Sequence, residues 1–548
     1  MAEKQACNLF FLRHQFTSGS PDNGQLSAEA RAHVSRQARL KSVRPRHIKF
    51  ISYFPDTMQH RTDSSLTTEP NENHKKECRV SAIAKNGRGC VGAATSGRIA
   101  SCAVKSVGWD PFDSFAVSKP KWNEQFMLHY AFATTLPPFG ESESDRRNFA
   151  QSWMWRTMEC PATFHAQVLG ASTHYVISCP TSHLRNRIIT TGLQCKVQAI
   201  TSLRSLIAEF SEAISESILL AIFVLAIHES FDLSDRPEPH PLSPLATYRD
   251  YHIYGRMIFG NEHINALYYL IQRKGGISNI DQHAFGYVLP IFDLVHCARV
   301  EAAPRFPCPR QLKSILQEGQ WTPDMEANEM LTTLREGLPP SPNAWWPACL
   351  ERKIINILQV MMEITTALDH YCRGGPGAPT SLDVLANNCD WVSHTLLSTP
   401  SYLKPSDQSG LGRQSSLDIT TTLHEICRLC ALLYLDMVIL PSPSHTGIKL
   451  RNSTRLLRLI EAMQRGEHIK DPCVRGFLTW ATVLGAIAAR FTQLQVPYSD
   501  HIERISWDTS WDTLYPRLKR YLWFRPVCDS PALRIWFEGG SRDVSLYA

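Results

Sequence analysis

Residues 189–228 read ITTGLQCKVQAITSLRSLIAEFSEAISESILLAIFVLAIH, and the spacing of their apolar side chains decides the fold class. Ile189, Leu193, Val197, Ile200, Leu203, Ile207 and Phe210 recur every three or four positions, a period that predicts one face of an α-helix. The next segment, Ile214 to His228, is apolar nearly all round, as expected of a central helix enclosed by neighbours. Its longest purely apolar run, Ile218 to Ile227, falls far short of the ~20 residues that cross a bilayer, so no membrane anchor is expected.

Outward from this stretch the helical period returns. It runs through 352–371 (Ile354, Ile355, Leu358, Met361, Met362, Leu368), 421–439 and 454–464, and a last long segment covers 474–494. Proline-rich connectors at 234–244, 304–310, 337–347, 374–379 and 399–409 separate these segments. Alternation with period two is scarce, and no repeat of fixed length is evident. The expectation is a mainly α body of about ten or more helices. It would occupy 108–548, with the 13 Trp and 23 Phe of the chain supplying bulky core.

The first fifth of the chain differs. Residues 1–108 hold 17 Lys/Arg against 8 Asp/Glu, whereas the rest holds 40 against 43, so the whole positive excess of this +6 chain lies there. We divide it into a basic N-terminal module, 1–54, and a flexible, partly disordered linker, 55–107. In the module an apolar start, Asn8-Leu9-Phe10-Phe11-Leu12, precedes a helix with Ser27 as N-cap, stopped by Pro45. Arg31, Arg36, Arg39, Lys41, Arg44, Arg46 and Lys49 follow one another with no acidic residue between them. Such a segment can meet phosphates without reading bases, and it also suits a nuclear-import receptor. The plainer alternative is a solvated basic helix with no partner.

Catalytic signatures are missing from the sequence: no phosphate-binding loop, nucleophile elbow or His-Glu-x-x-His pair occurs. His228-Glu229 and His424-Glu425 each lack the second histidine one helical turn on that gripping a metal would require. Gly87-x-Gly89-x-x-Gly92 has no strand–helix context and reads as linker. The lone Cys427-x-x-Cys430 falls in an apolar helix, where cysteine packs as a small hydrophobe. Sixteen cysteines without a framework, behind an N-terminus too polar for a signal peptide, point to reduced thiols in the cytosol or nucleus. No catalytic residue, metal site or cofactor is assigned. His228, Glu229 and Arg428, polar groups inside apolar helices, are the ones a folded site would use first.

Four places in the chain resemble fungal-specific transcription-factor-like proteins, in which a large helical region usually follows a zinc-cluster DNA-binding domain. Asn8-Leu-Phe-Phe-Leu with Arg31-Ala-His33-Val34 and its basic tail resembles the short opening module of members without a zinc cluster. Trp109-Asp-Pro-Phe-Asp-Ser-Phe115 is similar to the segment that begins the helical region. Tyr269-Leu-Ile-Gln-Arg-Lys-Gly275-Gly276-Ile277 looks like a family helix end. Leu423 to Leu435, Trp480 to Ala489 and Leu522-Trp523 resemble its C-terminal helices. The chain departs from the family pattern in its early cysteines, because Cys7, Cys78, Cys90 and Cys102 lack the two closely spaced groups of a zinc cluster.

The resemblance therefore implies a nuclear transcription regulator that works through other transcription regulators, any DNA contact by the arm being non-specific. Gly275-Gly276 is expected to close a helix, Gly485 to bring two helices together, and Trp511 and Trp523 to fill core or groove. Two other classes stay open: a helical scaffold unrelated to transcription, and an enzyme whose pocket assembles only in three dimensions.

Overall fold

The computed structural model describes residues 115–538, apart from 119, 137–142, 210–213, 232–241, 282–284, 309, 313–314, 317–318, 338–350, 402–418, 444–445, 465–470 and 507–509. The basic module, the linker, the glycine motif and Trp109 to Ser114 lie outside these residues, as does Phe210. Among the described residues the chain is helical, with 17 α-helices and one two-stranded antiparallel ribbon that pairs Ser230 with Ile258 and Phe231 with Met257.

In chain order the first eight helices are α1 Trp122–Tyr130, α2 Glu143–Glu159, α3 Pro161–Ser178, α4 Arg185–Glu209, α5 Glu216–Ile227, α6 Tyr251–Tyr254, α7 Asn261–Arg273 and α8 Phe285–Val300. The remaining nine are α9 Met325–Gly337, α10 Arg352–Arg373, α11 Asp383–Leu397, α12 Ile419–Tyr434, α13 Ile448–Gln464, α14 Pro472–Ala488, α15 Gln495–Ser506, α16 Trp511–Leu518 and α17 Arg525–Glu538. Two helices end in a π-helical turn, α1 in Ala131–Thr135 and α12 in Leu435–Ile439.

Helix α5 is buried on every side, as its all-round apolar sequence requires, and Ser215 caps it by accepting from the Ile218 N–H at 3.3 Å. It forms the axis of one core cluster with α2, α3, α7 and α8. A second, larger cluster surrounds α10, α12 and α14 and takes in the last three helices. A smaller one joins α1 to α3 and α4. Two buried arginines fasten α11 to earlier segments of the chain. Arg249 donates to both Asp390 oxygens, at 3.0 and 3.1 Å, and Arg310 reaches the same carboxylate at 3.2 Å. Both guanidiniums and the carboxylate are buried, so each supplies the charge that the others need.

The predicted face of α4 is met in part: Leu203 is buried, and Ile189, Ile200 and Ile207 are partly buried against the cores. Leu193 and Val197 are each 57% exposed, and there the helix buries Thr191, Gly192, Cys195 and Ala199 instead. The physical reason is proximity to α3. A Cβ at Gly192 would lie 3.0 Å from the Ser172 Cβ, so at this point the seam has room only for glycine, with Cys195 and Ala199 inside further along and the larger Ile188 and Leu203 buried on either side. The segment predicted at 474–494 is likewise two elements. Helix α14 stops at Ala488, Phe491 takes a positive φ, and Pro497 falls in the first turn of α15, where its missing N–H is tolerated.

Other expectations hold. Gly275 and Gly276 adopt φ of +96° and +97° after α7, and their N–H groups donate to Gln272 and Ile271 carbonyls at 3.0 Å. Gly485 lies against Tyr498 of α15, where a Cβ would come within 2.4 Å of the phenol oxygen. Trp480 and Trp523 are buried, and Trp511 is partly buried against the larger core. Cys427 and Cys430 sit in that same core, where burial pushes the Cys427 thiol up to about 12 and that of Cys430 upward as well.

Candidate functional site

A cavity of about 250 Å³ opens where α8, α11, α12 and α13 converge. Four chain segments build its wall. The end of α8 and the residues after it supply Ala298, Glu301, Ala302 and Ala303, and the end of α11 supplies Leu397 to Ser401. Arg428 and Leu432 come from α12, Leu435 and Asp436 from its π turn, and Ile448, Asn452 and Arg455 from α13. The π turn is closed by a Leu440 N–H to Leu435 C=O bond of 2.7 Å, which spans one residue more than an α-helical bond. Leu435 and Asp436 reach the wall on the same helical face as Arg428 and Leu432, seven and eight residues after Arg428.

Three carboxylates, each held by a cation, frame the cavity. Arg428 grips Glu425 through Nε to Oε2 at 2.9 Å and Nη2 to Oε1 at 2.7 Å, and the Ser401 hydroxyl donates to Oε1 at 2.9 Å. The Glu425 side chain is fully buried, so this pair is intelligible only because each partner neutralises the other. Asp436 meets Lys449 at 2.9 Å, with burial pushing its carboxyl up against the opposing pull of the ammonium. Lys449 also donates to the Ser442 carbonyl. Glu301 adopts φ +54°, a conformation unfavourable for a side-chain-bearing residue, and is held there by Arg455 at 2.9 Å and by Arg451.

The hydrogen-bonding positions in this wall without a hydrogen-bond partner among the described residues include one on Arg428 and one on Asn452. The Arg428 pairings use Nε and Nη2 and leave Nη1 as an open donor. The Oδ1 of Asn452 is buried and accepts from no group. Around them the surface is aliphatic, from Leu397, Leu432, Leu435, Leu440 and Ile448. A free guanidinium N–H, its charge matched by Glu425, and a free amide acceptor on an apolar wall suit a small amphipathic molecule with one carbonyl group and one donor. The hydroxyls are committed elsewhere: Ser398 donates to the His394 carbonyl, Thr399 to that of Thr395, and Ser401 to Glu425. None of these bonds is to an imidazole nitrogen, and the carboxylate nearest a hydroxyl is already held by an arginine, which makes it a poor base.

Of the residues singled out from sequence, Arg428 belongs to this site. His228 does not. It caps α5, fully buried beside Tyr254, and lines a separate cavity of about 30 Å³, room for roughly one water. Burial holds its imidazole down at about 3, so it is neutral. Glu229 faces another way, toward Lys196 at 2.8 Å and His263 at 3.4 Å. Burial raises its carboxyl, but the His263 and Lys196 partners outweigh that and hold it at about 2. Arg31, Arg36, Arg39, Lys41, Arg44, Arg46 and Lys49 lie outside the described residues. Asn452 and Glu301 carried no sequence signal, since they join Arg428 and Asp436 only through the packing of three helices.

Comparison with known proteins returns no matching family model, no matching curated protein and no matching solved structure.

Proposed function

We propose that this chain is a transcriptional regulator of the nucleus, acting through contacts with other regulators, and that the cavity around Arg428 and Asn452 receives a small effector. Three observations support the reading: the four segments that resemble fungal transcription-factor-like proteins, the basic run Arg31 to Lys49, and the geometry of the cavity. The cavity carries most weight. Its carboxylates are matched to cations and its hydroxyls to acceptors, while one donor and one acceptor stay open toward a ligand. That arrangement binds rather than reacts, so the chain is proposed to be no enzyme and to need no cofactor.

Chromatin association of the full chain, compared with a variant carrying Ala at Arg36, Arg39, Lys41, Arg44 and Arg46, tests the reading. The proposal requires recovery of promoter DNA or transcription regulators with the wild type and their loss with the variant. Recovery of cytoplasmic partners alone would replace it with a helical scaffold. The exposed pair Leu193 and Val197 on α4 favours that second reading, because an aliphatic patch on a surface helix is a common contact site.

A further inference from the structure

We infer that Glu124, His165 and Cys195 form a binding site for a zinc ion that ties α1 to α3 and α4. The three side chains are buried, come from three different helices, and present one carboxylate oxygen, one imidazole nitrogen and one sulfur within 4.8 Å of one another. The Cys195 sulfur stands 3.8 Å from Glu124 Oε1. Tetrahedral zinc with bonds of ~2.0–2.3 Å places its donors roughly 3.3–3.6 Å apart, so shifts of about 1 Å or less would close the set.

Two further observations point to a ligand. The Nδ1 of His165 is buried and has no hydrogen-bond partner among the described residues. The carboxylate of Glu124 is buried without an arginine or lysine ion pair there; its printed partners are the Lys121 N–H, donating to Oε2 at 2.7 Å, and the Cys195 thiol. A buried anion beside an unused imidazole and a thiol is the electrostatic setting that a divalent cation completes. The Lys121 N–H is then an outer partner that orients the carboxylate.

The donor types select the metal. Sulfur and imidazole disfavour calcium and magnesium, while zinc accepts sulfur, nitrogen and oxygen together. Binding would release the Cys195 thiol proton to solvent and leave the fourth position to water. With no metal, burial and the nearby Glu124 charge push that thiol up to about 12, so a cation has to compensate for the deprotonation. Sequence spacing could not disclose the set, because its members lie at positions 124, 165 and 195, too far apart for any local ligand motif.

The test uses the full chain, stripped with chelator, dialysed against zinc and assayed for metal by mass spectrometry. Wild type should retain one zinc per chain and gain thermal stability on zinc addition. Cys195→Ser and His165→Gln, shown folded by circular dichroism, should retain none and gain nothing. Cobalt in place of zinc should give a thiolate charge-transfer band that Cys195→Ser lacks. Zinc retention equal in wild type and Cys195→Ser would overturn the site, as would a cobalt complex without the thiolate band.

Discussion

Substituting Gly485 with alanine separates two forces that act on the same methyl group. In an exposed helix interior the change stabilises by about 0.5–1 kcal/mol, because glycine loses more backbone freedom on folding. Here the new Cβ would lie 2.4 Å from Tyr498 Oη, 2.6 Å from Cζ and 2.7 Å from Cε1. Tyr498 cannot simply swing aside, since it is fully buried and donates to the Ser453 carbonyl of α13 at 2.8 Å. Overpacking of this kind costs about 1–3 kcal/mol. Displacing the phenol also breaks a buried hydrogen bond, for about another 1–3 kcal/mol. The unfavourable terms win, and Gly485→Ala should destabilise by about 2–4 kcal/mol. Urea unfolding followed by tryptophan fluorescence reads the shift in midpoint. In a Tyr498→Ala background the ring is gone, and Gly485→Ala should become neutral or stabilising. A Gly485→Ala protein more stable than wild type would refute the close approach of α14 and α15, and an equal loss in both backgrounds would refute its assignment to Tyr498.

Other perturbations test the charged groups. Arg428→Leu leaves Glu425 as an unpaired buried charge and should cost about 3–5 kcal/mol, whereas adding Glu425→Leu should restore most of it; a double variant as unstable as the single one would count against the pairing. His228 is held neutral at about 3 when folded, so the unfolded chain binds its proton more readily and stability is lost as pH falls below the ordinary histidine value. Between about pH 6 and 4 this contributes roughly 1.4 kcal/mol per pH unit, and His228→Gln should lower the slope of unfolding free energy against pH by one proton. Equal slopes would show that the residue is solvated. In cells, the five-alanine arm variant should lose nuclear accumulation, and an unchanged distribution would remove the arm from import.

The helical class was legible because the apolar period is a local property, repeated in segment after segment. The glycine positions were legible for a related reason. Gly275-Gly276 must take positive φ whatever surrounds it, and a glycine among alanines in α14 implies a close neighbour without naming it. The cavity was not legible. Arg428 could be picked out as a charge inside an apolar helix, but Glu301 and Asn452 reach the wall only through the packing of α8 and α13.

The stretch at 189–228 shows where the division falls. Its sequence alone determined that two helices form and that the second is enclosed, because the spacing and density of apolar side chains settle both. Which face of the first helix is buried was decided only in the tertiary structure. In its middle, hydrophobicity favoured Leu193 and Val197, but α3 comes close at Gly192, and Cys195 and Ala199 went inside, between the buried Ile188 and Leu203. Burial there follows the space between two axes, a quantity that no single helix carries in its own sequence.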